Sequence, residues 1–188
     1  MANTLTDCAT PHRILCLGKT HSTVVKPATT TGGKKIWVTA DTFTLGGGTT
    51  PDAFCQAARP SDVTTAVALL STATKAASAI LSATTKYVRP DGVAVGTGAQ
   101  IGAGTLESGV WQTADGTYPY GSFLAWAGSD RPGLMGTATS TCANWTDGSK
   151  GTFEARLGVA NRVNAFWQAQ RSNYCNLMVS LYCVQAAP

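Results

Sequence analysis

The chain closes on "YCNLMVSLYCVQ" (residues 174–185), in which two cysteines bracket seven mostly apolar residues. Read as one extended strand, Cys175 and Cys183 lie at an even offset, so both side chains leave the same face. Their Cα atoms are then roughly 26 Å apart at ~3.3 Å per residue, far beyond the ~7 Å limit for a disulfide. Each sulfur must reach a distant partner, and in the main body of the chain only Cys55 and Cys142 remain. Two pairings stay open: Cys55–Cys183 with Cys142–Cys175, or the crossed alternative. The nested pairing is preferred, because it suits a terminal strand running through the core. Its two loops contribute roughly 4–5 and 3–4 kcal/mol in the chain-entropy account.

A similar phrase stands near the other end, "DCATPHRILCLG" (residues 7–18), with Cys8 and Cys16 in the same spacing. Here Pro11 removes a ladder donor and bends the chain, so Cys8 and Cys16 can bridge each other. Otherwise they are halves of bridges whose partners lie elsewhere. Six cysteines without a Cys-x-x-Cys pair, and only two histidines, argue against structural zinc and for disulfides in an oxidising compartment. The expected location is therefore secreted or cell-surface. No apolar signal core occurs in residues 1–30. The expectation is that a signal segment and more lie upstream of Met1 in the natural protein, or that Met1 is an artificial start. No stretch reaches the ~18 apolar residues of a membrane span.

With 188 residues, 44% of them apolar, the chain can bury one sizeable core. Only 13% of residues are charged, about half the usual share, so hydroxyls and backbone amides must wet the surface. The net charge of +4 is scattered, with Lys34–Lys35 its one adjacent basic pair. That pattern excludes a nucleic-acid stripe.

Along the chain, residues 1–34 read as an N-terminal segment and polar linker, and residues 35–188 as the main domain. "KIWVTADTF" (35–43) alternates like a first strand. "TTPDAFCQAARP" (49–60) reads as a helix with Thr50 as N-cap, Pro51 at the first position, and Ala53, Phe54, Ala57 and Ala58 as its buried stripe. "TTAVALLST" (64–72) is a strand or a strand–helix junction, and the Ala-rich "ATKAASAILS" (73–82) reads as helical. From Lys86 to Ser149, short β-like pieces alternate with Gly-rich turns: "KYVRPDGVAV", "SGVWQTAD", "SFLAWAGSD" and "TCANWTDGS". The glycine cluster "GTGAQIGAG" (96–104) lacks a P-loop lysine and reads as turns. The class is α+β.

In order, "TPDAFCQAARP", "ALLST", "YVRPDGVAV", "FLAWAGSD", "TCANWTDG" and "CNLMVSLYCVQ" resemble the endostatin domain of collagens XV and XVIII, and more closely its bacterial relatives in secreted and lipoprotein-like proteins. The resemblance covers about residues 35–185. It implies a C-type-lectin-like mixed sheet with short helices, Gly-rich loops and the nested bridges Cys55–Cys183 and Cys142–Cys175. It also makes "CATPHRILCLG" look like the closing strand of a preceding domain, against the rival reading of an extension clipped by Cys8–Cys16. The zinc-binding histidines of endostatin do not carry over, since His12 and His21 lie outside the matching region. Its clustered heparin-binding arginines are replaced by scattered ones: Arg59, Arg89, Arg131, Arg156, Arg162 and Arg171. "NWTD" (144–147) resembles a lectin calcium strand only loosely, and the matching Glu-Pro-Asn loop is absent. No metal or cofactor is expected.

Catalytic sets fail as well. A Ser–His–Asp or Cys–His unit needs a histidine on a rigid scaffold, and both histidines lie in the N-terminal segment. The chain is expected not to be an enzyme. Of five tryptophans, Trp37, Trp126 and Trp167 sit in apolar strand contexts as core, while Trp111 and Trp145 flank loops. Aromatic rings beside Asn and Asp suit stacking on sugar faces or a protein hot spot. Tyr118, Tyr120, Asn144, Trp145 and Asp147 form the candidate patch. The expected function is non-catalytic extracellular recognition or adhesion, with a glycan or surface protein as partner. The alternatives are a structural module of a surface appendage and, more distantly, a secreted hydrolase.

Overall fold

The computed structural model describes residues 28–119, 124–151, 153–164 and 166–186. Among them, eight strands form one mixed sheet: β1 (Lys34–Val38), β2 (Ala66–Ala68), β3 (Lys86–Val88), β4 (Ala94–Thr97), β5 (Leu124–Trp126), β6 (Glu154–Val159), β7 (Arg171–Tyr174) and β8 (Ser180–Gln185). Their order is β4-β3-β1-β8-β5-β6-β7, with β2 also paired to β8. The helices are short: α1 (Pro51–Ala57), α2 (Gly98–Ala103) and a single turn at Phe166–Ala169. The chain is thus α+β with a mostly sheet core. No helix among the described residues is long and apolar enough to cross a membrane.

β8 is the centre of the fold. Along one edge it pairs antiparallel with β1, Trp37 facing Cys183; the other edge is shared by β5, paired parallel, and β2, where Ala68 also faces Cys183. Its first five residues are buried, because successive side chains enter opposite layers. Leu181 and Cys183 join Trp37, Phe43, Trp126 and Trp145 in one layer. Tyr182 and Val184 join Ile36, Val38, Ile101 and Trp167 in the other. The Tyr182 hydroxyl donates to the Trp167 carbonyl at 2.6 Å, which satisfies a phenol that burial would otherwise penalise.

Residues 175–183 are not one extended strand. β7 lies three places from β8 in the sheet, so the chain must cross beneath β5 and β6 between Tyr174 and Ser180. It does so through a turn closed by Leu177 N–H donating to the Tyr174 carbonyl at 3.1 Å. Cys175 sits at that turn and bonds Cys142, 33 residues away; Cys183 bonds Cys55, 128 residues away. This is the nested arrangement. Cys8, Cys16 and the histidines lie outside the described residues. The described part of the expected linker is already paired, Thr29 bridging to Val93.

Four further expectations change. In α1, Thr50 caps Ala53 N–H and Pro51 opens the helix, but Ala53 and Ala57 are exposed and Phe54 and Ala58 only half-buried. Cys55 is the buried residue, so the helix is tied down by its disulfide, by Phe54 packed edge-on against Phe43 at 5.3 Å, and by Asp52 and Gln56 bonds to β2, more than by an alanine stripe. The Ala-rich stretch 73–82 forms only a 3-10 turn at Ala77–Ile80. Ala77 N–H is taken by Ser71 Oγ and Ser78 N–H by the Pro132 carbonyl, so those donors are unavailable to an α-helical ladder. Conversely, "GTGAQIGAG" contains α2, with Thr97 and Gln100 in a reciprocal capping box and Gly104 at φ +82° ending it. Finally, "SGVWQTAD" and "TCANWTDGS" are not strands.

"TCANW" instead makes a turn of left-handed helix. Cys142, Ala143, Asn144 and Trp145 have φ of +50°, +53°, +56° and +68°. Trp145 N–H donates to the Thr141 carbonyl at 2.6 Å and Thr146 N–H to that of Cys142 at 3.1 Å. Each such L-residue costs about 1–2 kcal/mol, and the conformation persists where surrounding contacts over-determine it. Those contacts are the Cys142–Cys175 bridge, Trp145 Nε1–H donating to the Ser71 carbonyl at 2.8 Å, and Ala73 N–H donating to Asn144 Oδ1 at 2.7 Å.

Candidate functional site

Two sequence phrases, "RPDGV" (89–93) and "TADGT" (113–117), are Asp-Gly turns, each with its glycine at φ +84°. They stand side by side and wall a polar cleft of about 410 Å³ lined by Lys35, Pro60, Ser61, Asp62, Pro90, Asp91, Gln112, Ala114, Asp115 and Gly116. A neighbouring hollow of about 400 Å³ shares Pro60, Ser61, Ala114 and Asp115 and adds Asp41, Arg59 and Thr113.

Gln112 joins the two turns. Its Oε1 accepts Asp91 N–H at 2.8 Å and its Nε2 donates to the Gly116 carbonyl at 2.9 Å. Asp91 is a pin in this frame. Arg89, itself buried, grips it through Nε to Oδ1 at 3.2 Å and Nη2 to Oδ2 at 2.7 Å. Val93 N–H adds a bond to Oδ1 and the Tyr118 hydroxyl one to Oδ2. Burial alone would raise the Asp91 pKa, but the Arg89 hydrogen bonds, with those of Val93 and Tyr118, outweigh it and hold the carboxyl below the usual range. With both oxygens occupied, Asp91 is a structural charge.

Asp115 is different. Its Oδ1 accepts from the Thr113 hydroxyl and from the Thr117 N–H and hydroxyl. These bonds, Thr113 first, also keep its pKa low. Its Oδ2 has no protein donor among the described residues, so the cleft keeps one ionised acceptor. Lys35 Nζ supplies a donor, bonded to the Pro90 carbonyl at 3.1 Å and paired with Asp62 at 3.6 Å.

Tyr118 stands beside this frame. The residue is 45% exposed; its ring packs on Trp111 at 4.6 Å between centroids and lies 5.8 Å from the Arg89 guanidinium. The ring is therefore a fixed plate at the surface, held by Trp111, by Arg89 and by its hydroxyl on Asp91.

The other members of the expected patch are elsewhere. Tyr120 lies outside the described residues. Asn144 and Trp145 occupy the left-handed turn and line a separate groove between α1, β2 and residues 72–80. Trp145 is 7% exposed and packs against Trp126 at 5.9 Å, so it is a core residue and offers no open stacking face. Asp147 Oδ1 caps Ser149 N–H at 2.8 Å. The Ser149 hydrogen bonds, side chain first, lower the Asp147 pKa, which marks a turn residue. The patch thus divides, with Tyr118 in one place and Asn144, Trp145 and Asp147 in another. Of the frame residues, Asp91 and Asp115 carry a turn signal in the sequence, each being followed by glycine; Arg89 and Gln112 carry none.

Asp130 is paired with Arg156 at 2.7 Å. Among the described residues, no three His, Cys, Asp or Glu side chains gather as a metal site. No protein-family pattern matches the chain, and no curated protein sequence matches it significantly.

Proposed function

We propose that this chain is a non-catalytic extracellular recognition domain of endostatin-like, C-type-lectin-like architecture that binds a glycan at the Asp-Gly cleft. The observation that carries the reading is the exposed Tyr118 ring, immobilised by Trp111 and Asp91 beside a cleft with an ionised acceptor and an ammonium donor. Sugar rings present an apolar face flanked by hydroxyls; an aromatic plate meets the face, while Asp115 Oδ2 and Lys35 Nζ meet the hydroxyls. Because the plate is fixed before binding, little side-chain entropy is lost on association. Two long-range disulfides fit an oxidising compartment.

Glycan-array screening of the folded protein tests this directly. A hit should weaken roughly tenfold in Tyr118→Ala and stay within about threefold in Tyr118→Phe, which keeps the ring. Silence on the array, or a hit indifferent to Tyr118→Ala, rejects the reading.

A second reading, an assembly module, draws on β7. It pairs with β6 alone among the described strands, and its last residue Tyr174 and the following Met178 are 43% and 61% exposed. A free strand edge is a template for another chain. Sedimentation showing a strict monomer across a wide concentration range removes that reading.

A further inference from the structure

The left-handed turn raises a separate question, because strained non-glycine backbone that a fold keeps in place is concentrated at functional sites. Asn144 and Trp145 form one wall of a groove of about 330 Å³ that shares no residue with the Asp-Gly cleft. Its apolar lining comes from Val67, Ala68, Leu70 and Ile80. Asp52 and Lys75 are its two charged residues. Asp52 already accepts Ala68 N–H at 2.9 Å through Oδ1. Lys75 is exposed, and its ammonium has no partner among the described residues. Asn144 spends its oxygen on Ala73 N–H, which leaves its amide hydrogens to donate; the Thr50 hydroxyl, whose oxygen accepts from Ala53 N–H, also has a hydrogen to give.

We propose that this groove binds the C-terminal end of a peptide with an apolar last residue. The apolar lining takes that side chain, and Lys75 takes the free carboxylate. Asn144 and Thr50 supply hydrogen bonds for the preceding peptide unit. Capture of a terminal carboxylate is an established mode of peptide recognition. A fatty acid would share the carboxylate but has no use for the Asn144 and Thr50 donors. The groove's volume, at the lower end of ligand pockets, suits one residue better than a long acyl chain. The strain has a use in this scheme, since the left-handed turn brings Asn144 to the wall while burying Trp145 behind it.

The test uses the full chain, ¹⁵N-labelled with disulfides intact, titrated with N-acetyl-leucine, its neutral amide N-acetyl-leucinamide, and octanoate. For a ligand of about twelve heavy atoms, binding on the order of millimolar is expected. Shifts should appear at Val67, Leu70, Ala76 and the Trp145 indole N–H, with the amide weaker by roughly fivefold. Lys75→Gln, an exposed change that leaves the fold intact, should abolish the preference for the acid over the amide. No shift at these residues with either leucine derivative overturns the site. Equal binding of acid and amide overturns the role of Lys75. Octanoate binding more tightly than N-acetyl-leucine, with the same dependence on Lys75, overturns the peptide as ligand.

Discussion

Ala143→Gly should do the opposite of what this exchange does in an ordinary helix. Ala143 has φ +53° within the left-handed turn, where a Cβ costs about 1–2 kcal/mol and glycine pays nothing. Against that release stand about 0.4–1 kcal/mol of added freedom in the unfolded chain. A half-buried methyl is also lost, which is worth about 0.4 kcal/mol, half of a buried methylene. The net expectation runs from neutral to about 1 kcal/mol of stabilisation. The matched control is Ala53→Gly, exposed within α1, which should destabilise by about 0.5–1 kcal/mol. The unfolded-state contribution is common to both variants, so their difference, about 0.5–2 kcal/mol, reports the strain of the left-handed backbone less the half-buried methyl lost at Ala143. Urea denaturation under non-reducing conditions measures it, provided the two variants share one m-value. If Ala143→Gly loses as much stability as Ala53→Gly, the left-handed turn is wrong, and with it the account of how Asn144 reaches its groove.

Other consequences are as direct. Removing the Cys55–Cys183 bridge as a double alanine variant should lower stability by ~4.9 kcal/mol and removing Cys142–Cys175 by ~3.7 kcal/mol, from loops of 128 and 33 residues; calorimetry of the two variants checks the order. Gly128→Ala should destabilise by roughly 2–5 kcal/mol. Its φ is +85°, and a Cβ there would sit 2.6 Å from the Ser71 carbonyl oxygen and 2.7 Å from the Trp145 ring. A thermal melt close to that of the parent chain would contradict this packing. The Arg89–Asp91 clasp carries a pH signature. Because the folded Asp91 pKa is lowered, its contribution is fully present above the ordinary Asp range near ~3.9 and is lost as pH falls from there through the depressed folded value. Asp91→Asn should flatten that part of an acid-stability profile, and a variant profile parallel to the parent's would contradict the clasp. Tyr182 and Tyr87, whose pKa values burial raises, should ionise only above ordinary tyrosine pH, giving a late phase in the phenolate absorbance.

How much of this was legible in the chain differs from element to element. The helix at Pro51–Ala57 was readable because its signals are local, with Thr50, Pro51 and Asp52 acting within one turn. α2 was locally signalled too, since "TGAQ" is a capping-box phrase, but its glycines read as loop. The Ala-rich stretch 73–82 misled for the converse reason: its composition favours a helix, while Ser71 and Pro132, distant in sequence or in another loop, claim its donors. The candidate patch divided because adjacency in sequence says nothing of which face a tryptophan takes. The ring of Trp145 turns inward through a backbone conformation that no propensity favours, whereas that of Tyr118 is held outward by Trp111 and Asp91.

By itself the sequence determined that the chain is α+β with an interior of tryptophan and small apolar residues, and that its surface is wetted by hydroxyls more than by charge. Those properties follow from spacing and composition, which are additive along the chain. The distant partners of the last two cysteines agree with the sequence reading, but the extended strand from which that reading argued does not exist. Only the tertiary structure decided that the closing phrase bends at Cys175 to cross beneath two strands, that four L-residues wind left-handed, and that two Asp-Gly turns 24 residues apart stand side by side as one cleft. Each of these depends on non-local partners: a disulfide, an indole hydrogen bond, and the Gln112 side chain between two loops. Such contacts have energies large enough to override local preference and leave no periodic trace in the chain.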